Sequence, residues 1–120
     1  HLDEMNAARR NIAKIYSARI SNPRIRTLKT LDDSYVGHLY VICCEQRDEL
    51  AAYLNENGVV VDIHYPVHDH RQELWKGKYQ YLELSNTEKL SREVLSLPCY
   101  PELLDSQVFK VVELINNWNP

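Results

Sequence analysis

Glycine is scarce in this chain: Gly37, Gly58 and Gly77 are the only three in 120 residues. A P-loop or dinucleotide-binding loop needs several glycines close together so that backbone N–H groups can close on a phosphate, and that spacing excludes both. Long apolar runs are missing too, with nothing near the roughly 18 residues of a membrane-spanning helix. No signal-peptide pattern is present. Basic charge is not in excess: 14 Lys and Arg stand against 17 Asp and Glu, a net charge of −3, and the basic residues are scattered. Such a surface has no field to draw nucleic acid, so none is expected as a partner. Cysteine is limited to Cys43, Cys44 and Cys99. An odd count with one adjacent pair fits neither a disulfide framework nor a CxxC motif, and reduced thiols in a cytoplasmic protein are expected. No paired carboxylates stand out.

What remains is an ordinary globular composition, 44% hydrophobic and 26% charged, long enough for one domain. The chain enters a helical pattern at His1, as expected of a piece of something longer. Leu2, Met5, Ala8, Ile12, Ile15 and Tyr16 recur at helical spacing and Asn22-Pro23 supplies a stop, which predicts an amphipathic helix over 2–21. Its partner surface is not evident, and with the polar stretch RIRTLKTLDDS it is expected to be the least firmly attached part. YVGHLYVIC, residues 35–43, is rich in β-branched and aromatic residues and predicts a strand covered on both faces. A helix follows over 46–57, with Gly58 placed for a left-handed cap. VVVDIHY, residues 59–65, predicts a second strand ending at Pro66, which has no N–H for a ladder. Residues 73–84 have no clean period. Ser85 and Glu88 fit a capping box ahead of Leu90, Val94 and Leu97, which predicts a short helix carrying those three. SLPCYP fits a turn or very short strand, and Asp105 a cap for a last helix with Val108, Val111, Val112, Ile115 and Trp118 on one stripe. This order predicts a two-layer α/β sandwich: a small, mainly antiparallel sheet with helices on one side.

The chemistry concentrates in IHYPVHDHRQ, residues 63–72. His64, His68 and His70 are capable of binding zinc, with Asp69 or a cysteine as a further ligand. The spacing matches no standard zinc loop, so no metal site is expected. A Cys–His nucleophile pair is conceivable, but Cys43, Cys44 and Cys99 lie among apolar residues where small buried thiols are commoner. His38 interrupts an apolar strand, where packing is the commoner role. Tyr65 and Tyr100 adjoin prolines at strand ends, each able either to aim a hydroxyl at a polar ligand or to cover the core.

HLYVI (38–42), RDELAAYLNENGV (47–59), IHYPVHDHRQ (63–72) and LSLPCYPEL (95–103), in that order and at those separations, resemble the C-terminal small domain of the DegT/DnrJ/StrS family of sugar aminotransferases. The family's HYP-x-P-x-H-x-Q run matches His64, Tyr65, Pro66, His70 and Gln72; His68 departs from it, standing where a proline or small residue is usual. The resemblance implies a connecting helix and linker over 1–34 and a small α/β domain over 35–120. It also implies a parent enzyme whose large domain, with its lysine-bound pyridoxal 5′-phosphate, is absent from this chain. Lys14, Lys29, Lys76, Lys78, Lys89 and Lys110 all lie outside the family's cofactor-lysine motif, so the chain alone is expected to hold no cofactor, to contain no catalytic residue and to be inactive. The family moves an amino group, usually from glutamate, onto a nucleotide-linked keto-sugar at a homodimer interface, in polysaccharide or lipopolysaccharide biosynthesis. By resemblance His64 and Tyr65 position the substrate, His70 adds a polar contact, and His38 is a weaker candidate supporting the loop. The rival expectations are a standalone binding module of the same fold and, less favoured, a zinc-binding domain built on the histidine loop.

Overall fold

The computed structural model describes residues 1–28, 32 and 34–120. Its elements in chain order are α1 (Leu2–Arg19), β1 (Tyr40–Cys43), α2 (Arg47–Glu56), α3 (Ser85–Glu93), β2 (Val94–Leu97) and α4 (Asp105–Asn117), with short 3-10 turns at Asp69–Arg71 and Glu73–Trp75. The expected boundary at residue 34 adjoins Lys29, Thr30, Leu31 and Asp33, which lie outside the described residues.

The centre is the antiparallel pair β1–β2, with Tyr40 opposite Leu97 and Ile42 opposite Leu95. Side chains alternate across a strand, so these four share one face, and all four are buried in the core. Leu50 and Leu54 of α2 join them there, as do Val108, Val111, Val112 and Ile115 of α4. The other face carries Val41 opposite Ser96 and Cys43 opposite Val94. Single antiparallel bridges extend the sheet on each side, Arg26 against Cys43 and Asp62 against Ser96. The architecture is thus a small antiparallel sheet with helices, as expected of an α/β small domain.

The first predicted strand is shortened to Tyr40–Cys43, and the second, 59–65, does not form beyond a single bridge at Asp62. Val94 and Leu97, expected on the helix after Ser85, lie instead in β2, where pairing with β1 ends that helix at Glu93. Upstream of β1, the Tyr35 hydroxyl donates to the Leu39 carbonyl at 2.7 Å, closing a local turn. Gly37 takes φ +66°, and a Cβ there would stand 2.9 Å from that of Arg9. The chain therefore passes α1 too closely for a continuing strand with side chains, and His38 falls in an exposed bend outside β1. In 59–65 the Val59 N–H goes to the Leu54 carbonyl at 2.9 Å and the Ile63 N–H to the Asp62 carboxylate at 2.7 Å. Local acceptors have taken the groups a ladder would use, and only Asp62 pairs.

The first of those local bonds belongs to the cap of α2. Val59 N–H bonds Leu54 and Gly58 N–H bonds Asn55 at 3.0 Å, the paired bonds of a Schellman motif, with Gly58 at φ +78° as its glycine suggested. The two N-caps differ from expectation. Leu84, not Ser85, precedes α3, and its apolar side chain makes no cap bond; the Glu88 side chain, expected in the capping box, is engaged by His70 and Arg71 instead. At α4, Asp105 is the first helical residue rather than the cap; the Gln107 side chain accepts the Leu104 N–H at 3.0 Å.

The first helix is firmly attached, contrary to expectation. Ile12, Ala13 and Tyr16 are buried, and the Tyr16 hydroxyl donates to the Pro98 carbonyl at 3.0 Å. Its C-terminal end and that of α4 satisfy each other. The Asn116 amide donates to the Arg19 carbonyl at 2.9 Å, and the buried Asn22 amide donates to the carbonyls of Ile115 and Trp118 at 2.8 and 2.9 Å. A helix end leaves carbonyls without partners, and here each helix is closed by an asparagine associated with the other. Asn22→Ala should therefore lower unfolding free energy by about 2 kcal/mol, the cost of stranding buried carbonyls. Urea denaturation measures it, and an unchanged midpoint would show that this lock contributes nothing.

Candidate functional site

The site begins at Ser96. Leu95 and Leu97 point into the core, so alternation turns Ser96 toward the opposite face. Its N–H and C=O pair with Asp62 at 2.8 and 3.2 Å, and its hydroxyl is 2.9 Å from His64 Nδ1. These bonds fix where the chain leaves the sheet and which way the imidazole faces. His64 is half-buried, with Nε2 3.8 Å from the Asp62 carboxylate. The His64–Tyr65 peptide is cis, the two rings meet edge to face at 5.2 Å, and Tyr65 is 69% exposed.

A cavity of about 530 Å³ opens beside them, lined among others by His64, Tyr65, His68, Asp69, Gln72 and Ser91. Imidazole, phenol, amide and hydroxyl groups together offer both donors and acceptors, which suits a polyhydroxylated ligand. His70 is not on this wall. It is buried behind it, with Nε2 3.4 Å from Glu88 Oε1 on α3. Arg71 donates to the same oxygen at 2.9 Å and to the Gln80 carbonyl at 2.5 Å. Hydrogen bonds from Arg71 first, then His70, hold the Glu88 carboxyl below its ordinary value. These contacts tie the loop to α3.

Of the residues expected to bind substrate, the structure brings His64 and Tyr65 together at the cavity, places His70 beneath it as a support and leaves His38 exposed and outside the cavity lining. Tyr100 lines a different cavity of about 430 Å³, with Pro98, Leu103 and Lys110. Ser96 and Glu88 were missed from sequence. Ser96 carried a signal, as a polar residue between two strand leucines; Glu88 carried only its cap-like spacing. The cysteines are free, and burial pushes all three thiols up, Cys99 to about 11. That opposes the low thiolate pKa that nucleophilic chemistry needs.

The model of the DegT/DnrJ/EryC1/StrS aminotransferase family matches residues 1–116. The chain is 34% identical over 119 residues to the dTDP-3-amino-3,6-dideoxy-alpha-D-galactopyranose transaminase of Aneurinibacillus thermoaerophilus, covering 98% of this chain and 32% of that protein. It is 37% identical over 120 residues to a pleiotropic regulatory protein of Geobacillus stearothermophilus, covering 96% and 32%. Among solved structures, DesV of S. venezuelae in complex with a ketimine intermediate is similar at a TM-score of 0.92 and 33% identity, covering 98% of this chain and 33% of that one. The chain spans about a third of the length of the curated relatives it matches.

The depressed Glu88 carboxyl makes stability depend on acid. The unfolded chain takes up this proton near the ordinary value of 4.5 and the folded chain only at lower pH, so Glu88 stabilises the fold above that value and loses its contribution as pH falls through the folded pKa. Glu88→Gln should be less stable at neutral pH and should show a shallower loss of stability below about pH 4.5. Denaturation followed across that range checks it; parallel curves for the two proteins would contradict it.

Proposed function

This chain belongs to the DegT/DnrJ/EryC1/StrS aminotransferase family, and from that premise we propose that it is the C-terminal portion of a pyridoxal-phosphate-dependent nucleotide-sugar aminotransferase, with the histidine loop as a wall against the sugar. The observation that carries this reading is the wall itself: His64, oriented by Ser96, beside the exposed Tyr65 on a cavity of mixed donors and acceptors. The relatives named for dTDP-sugar substrates support the substrate class. Amino transfer from glutamate to a keto-sugar nucleotide is the reaction we assign to the whole enzyme, working as a homodimer. Its products would enter polysaccharide or lipopolysaccharide assembly, in the cytoplasm. Among the described residues no helix is long and apolar enough to cross a membrane.

The family's cofactor supplies an electron sink when bound, but the described residues do not fit it. Lys14, Lys76, Lys78, Lys89 and Lys110 are all exposed, and none lines the histidine cavity; a Schiff-base lysine needs a desolvated setting. No step is therefore assigned to the cofactor within this chain. Its residues bind and orient: His64 and Tyr65 offer hydrogen bonds to hydroxyl or phosphate oxygens, while Pro66 fixes the direction of the loop. A second reading, a binding module without catalysis, is favoured by the 37% identity to the pleiotropic regulatory protein.

In a polypeptide carrying this chain together with a cofactor-binding portion, His64→Ala should raise KM for the sugar nucleotide about tenfold, the value of one lost hydrogen bond. The cofactor's absorption spectrum should not change. Kinetics equal to the parent's would remove His64 from the site, and absence of any transaminase activity in the parent would favour the binding module.

A further inference from the structure

His68 presents an unsolved polar problem. Both of its ring nitrogens are buried without a hydrogen-bond partner among the described residues. A neutral imidazole carries one N–H and one lone pair, and leaving buried polar groups unpaired costs on the order of 1–3 kcal/mol. Its ring lies 4.5 Å from that of His70, tilted by 34°. The His70 Nε2 to Glu88 Oε1 distance, 3.4 Å, is long for a hydrogen bond. It is close to the edge of a tetrahedron built on metal–ligand bonds of about 2.0–2.1 Å, roughly 3.3–3.4 Å. One donor atom from each of His68, His70 and Glu88 falls within 4.8 Å of the others.

We propose that His68, His70 and Glu88 form a binding site for a divalent transition-metal ion, zinc in the first instance. Two imidazoles and a carboxylate are a zinc donor set with a fourth position left for water or another ligand. Small rotations about the side-chain χ angles, within their staggered wells, bring the three donors onto one ion, and coordination gives His68 the partner its burial denies it. Arg71 is the outer partner of the ligating carboxylate. It is held in place by the Gln80 carbonyl at 2.5 Å and the Leu82 carbonyl at 3.4 Å. Its positive charge lowers the affinity without displacing the ion, because Glu88 Oε1 has a second lone pair beside the one that accepts from Arg71. The spacing within the loop does not reveal this site, because the third ligand comes from α3, 18 residues beyond His70. A bound ion would clamp the turn at Asp69–Arg71 to α3 and stiffen one wall of the cavity that His68 lines. The inference does not depend on the sugar-binding reading.

The test is titration of the full chain with cobalt(II), whose visible absorption is intense when the ion is tetrahedral, followed by displacement with zinc. One ion per chain is expected, with His68→Ala and Glu88→Gln each weakening binding about tenfold or more. His1→Ala, at the exposed start of α1, should leave binding unchanged. Circular dichroism reports whether each variant folds, and Glu88→Gln, which keeps the side chain's shape, decides alone should the histidine variant unfold. No tetrahedral cobalt spectrum, or binding retained in folded Glu88→Gln, would overturn the site.

Discussion

Ser96 stands between Leu95 and Leu97 on a strand whose register is set by burying both leucines against Tyr40 and Ile42. Because a strand's side chains alternate, that burial leaves Ser96 no choice of face. A slip of one residue would put Ser96 in the core and a leucine under the histidine loop. The backbone of Ser96 then pairs with Asp62 and its hydroxyl with His64. The position of the whole 63–72 loop is therefore a consequence of core packing. The loop meets a second tether at α3, where Glu88 receives Arg71 and sits beside His70. With one tether on a strand and one on a helix, the wall is built on regular elements, which is how a binding surface acquires fixed geometry.

The same economy operates at the other end of the molecule. Where α1 and α4 terminate, Asn22 and Asn116 each bond backbone groups belonging to the opposite helix region. Exposed carbonyls there would compete with packing, and the exchange lets Tyr16 and Ile115 share one core. Gly37 permits the close pass of the following segment over Arg9. The stretch leading into the sheet is thus fitted to α1 and not simply strung between elements.

Much of the fold was legible because its signals are local. Helix periodicity located α1, α2 and α4 to within about two residues, the usual uncertainty of helix ends, and Gly58 announced its cap. The histidine loop was legible as a polar cluster after a proline-ended extended segment. The shortfalls arose where long-range or competing partners decide. The segment 59–65 has a strand's composition, yet Val59 and Ile63 give their N–H groups to Leu54 and Asp62. Glu88 has a capping-box spacing, yet Arg71 and His70 claim it. The attachment of α1 could not be read because its stripe packs on a helix that begins at Asp105. His38 looked like a strand residue because YVGHLYVIC has a strand's composition; it is not one because the turn before β1 depends on Gly37 meeting Arg9, a contact between residues far apart in sequence.

The central claim is that the wall formed by His64, Tyr65 and their neighbours meets a nucleotide sugar. It is tested most directly by NMR titration of the isotopically labelled chain with a dTDP-linked sugar. The account predicts saturable shifts at His64, Tyr65, His68 and Gln72, with the Tyr100–Lys110 cavity unaffected. Shifts confined to that second cavity, or none at millimolar ligand, would contradict it.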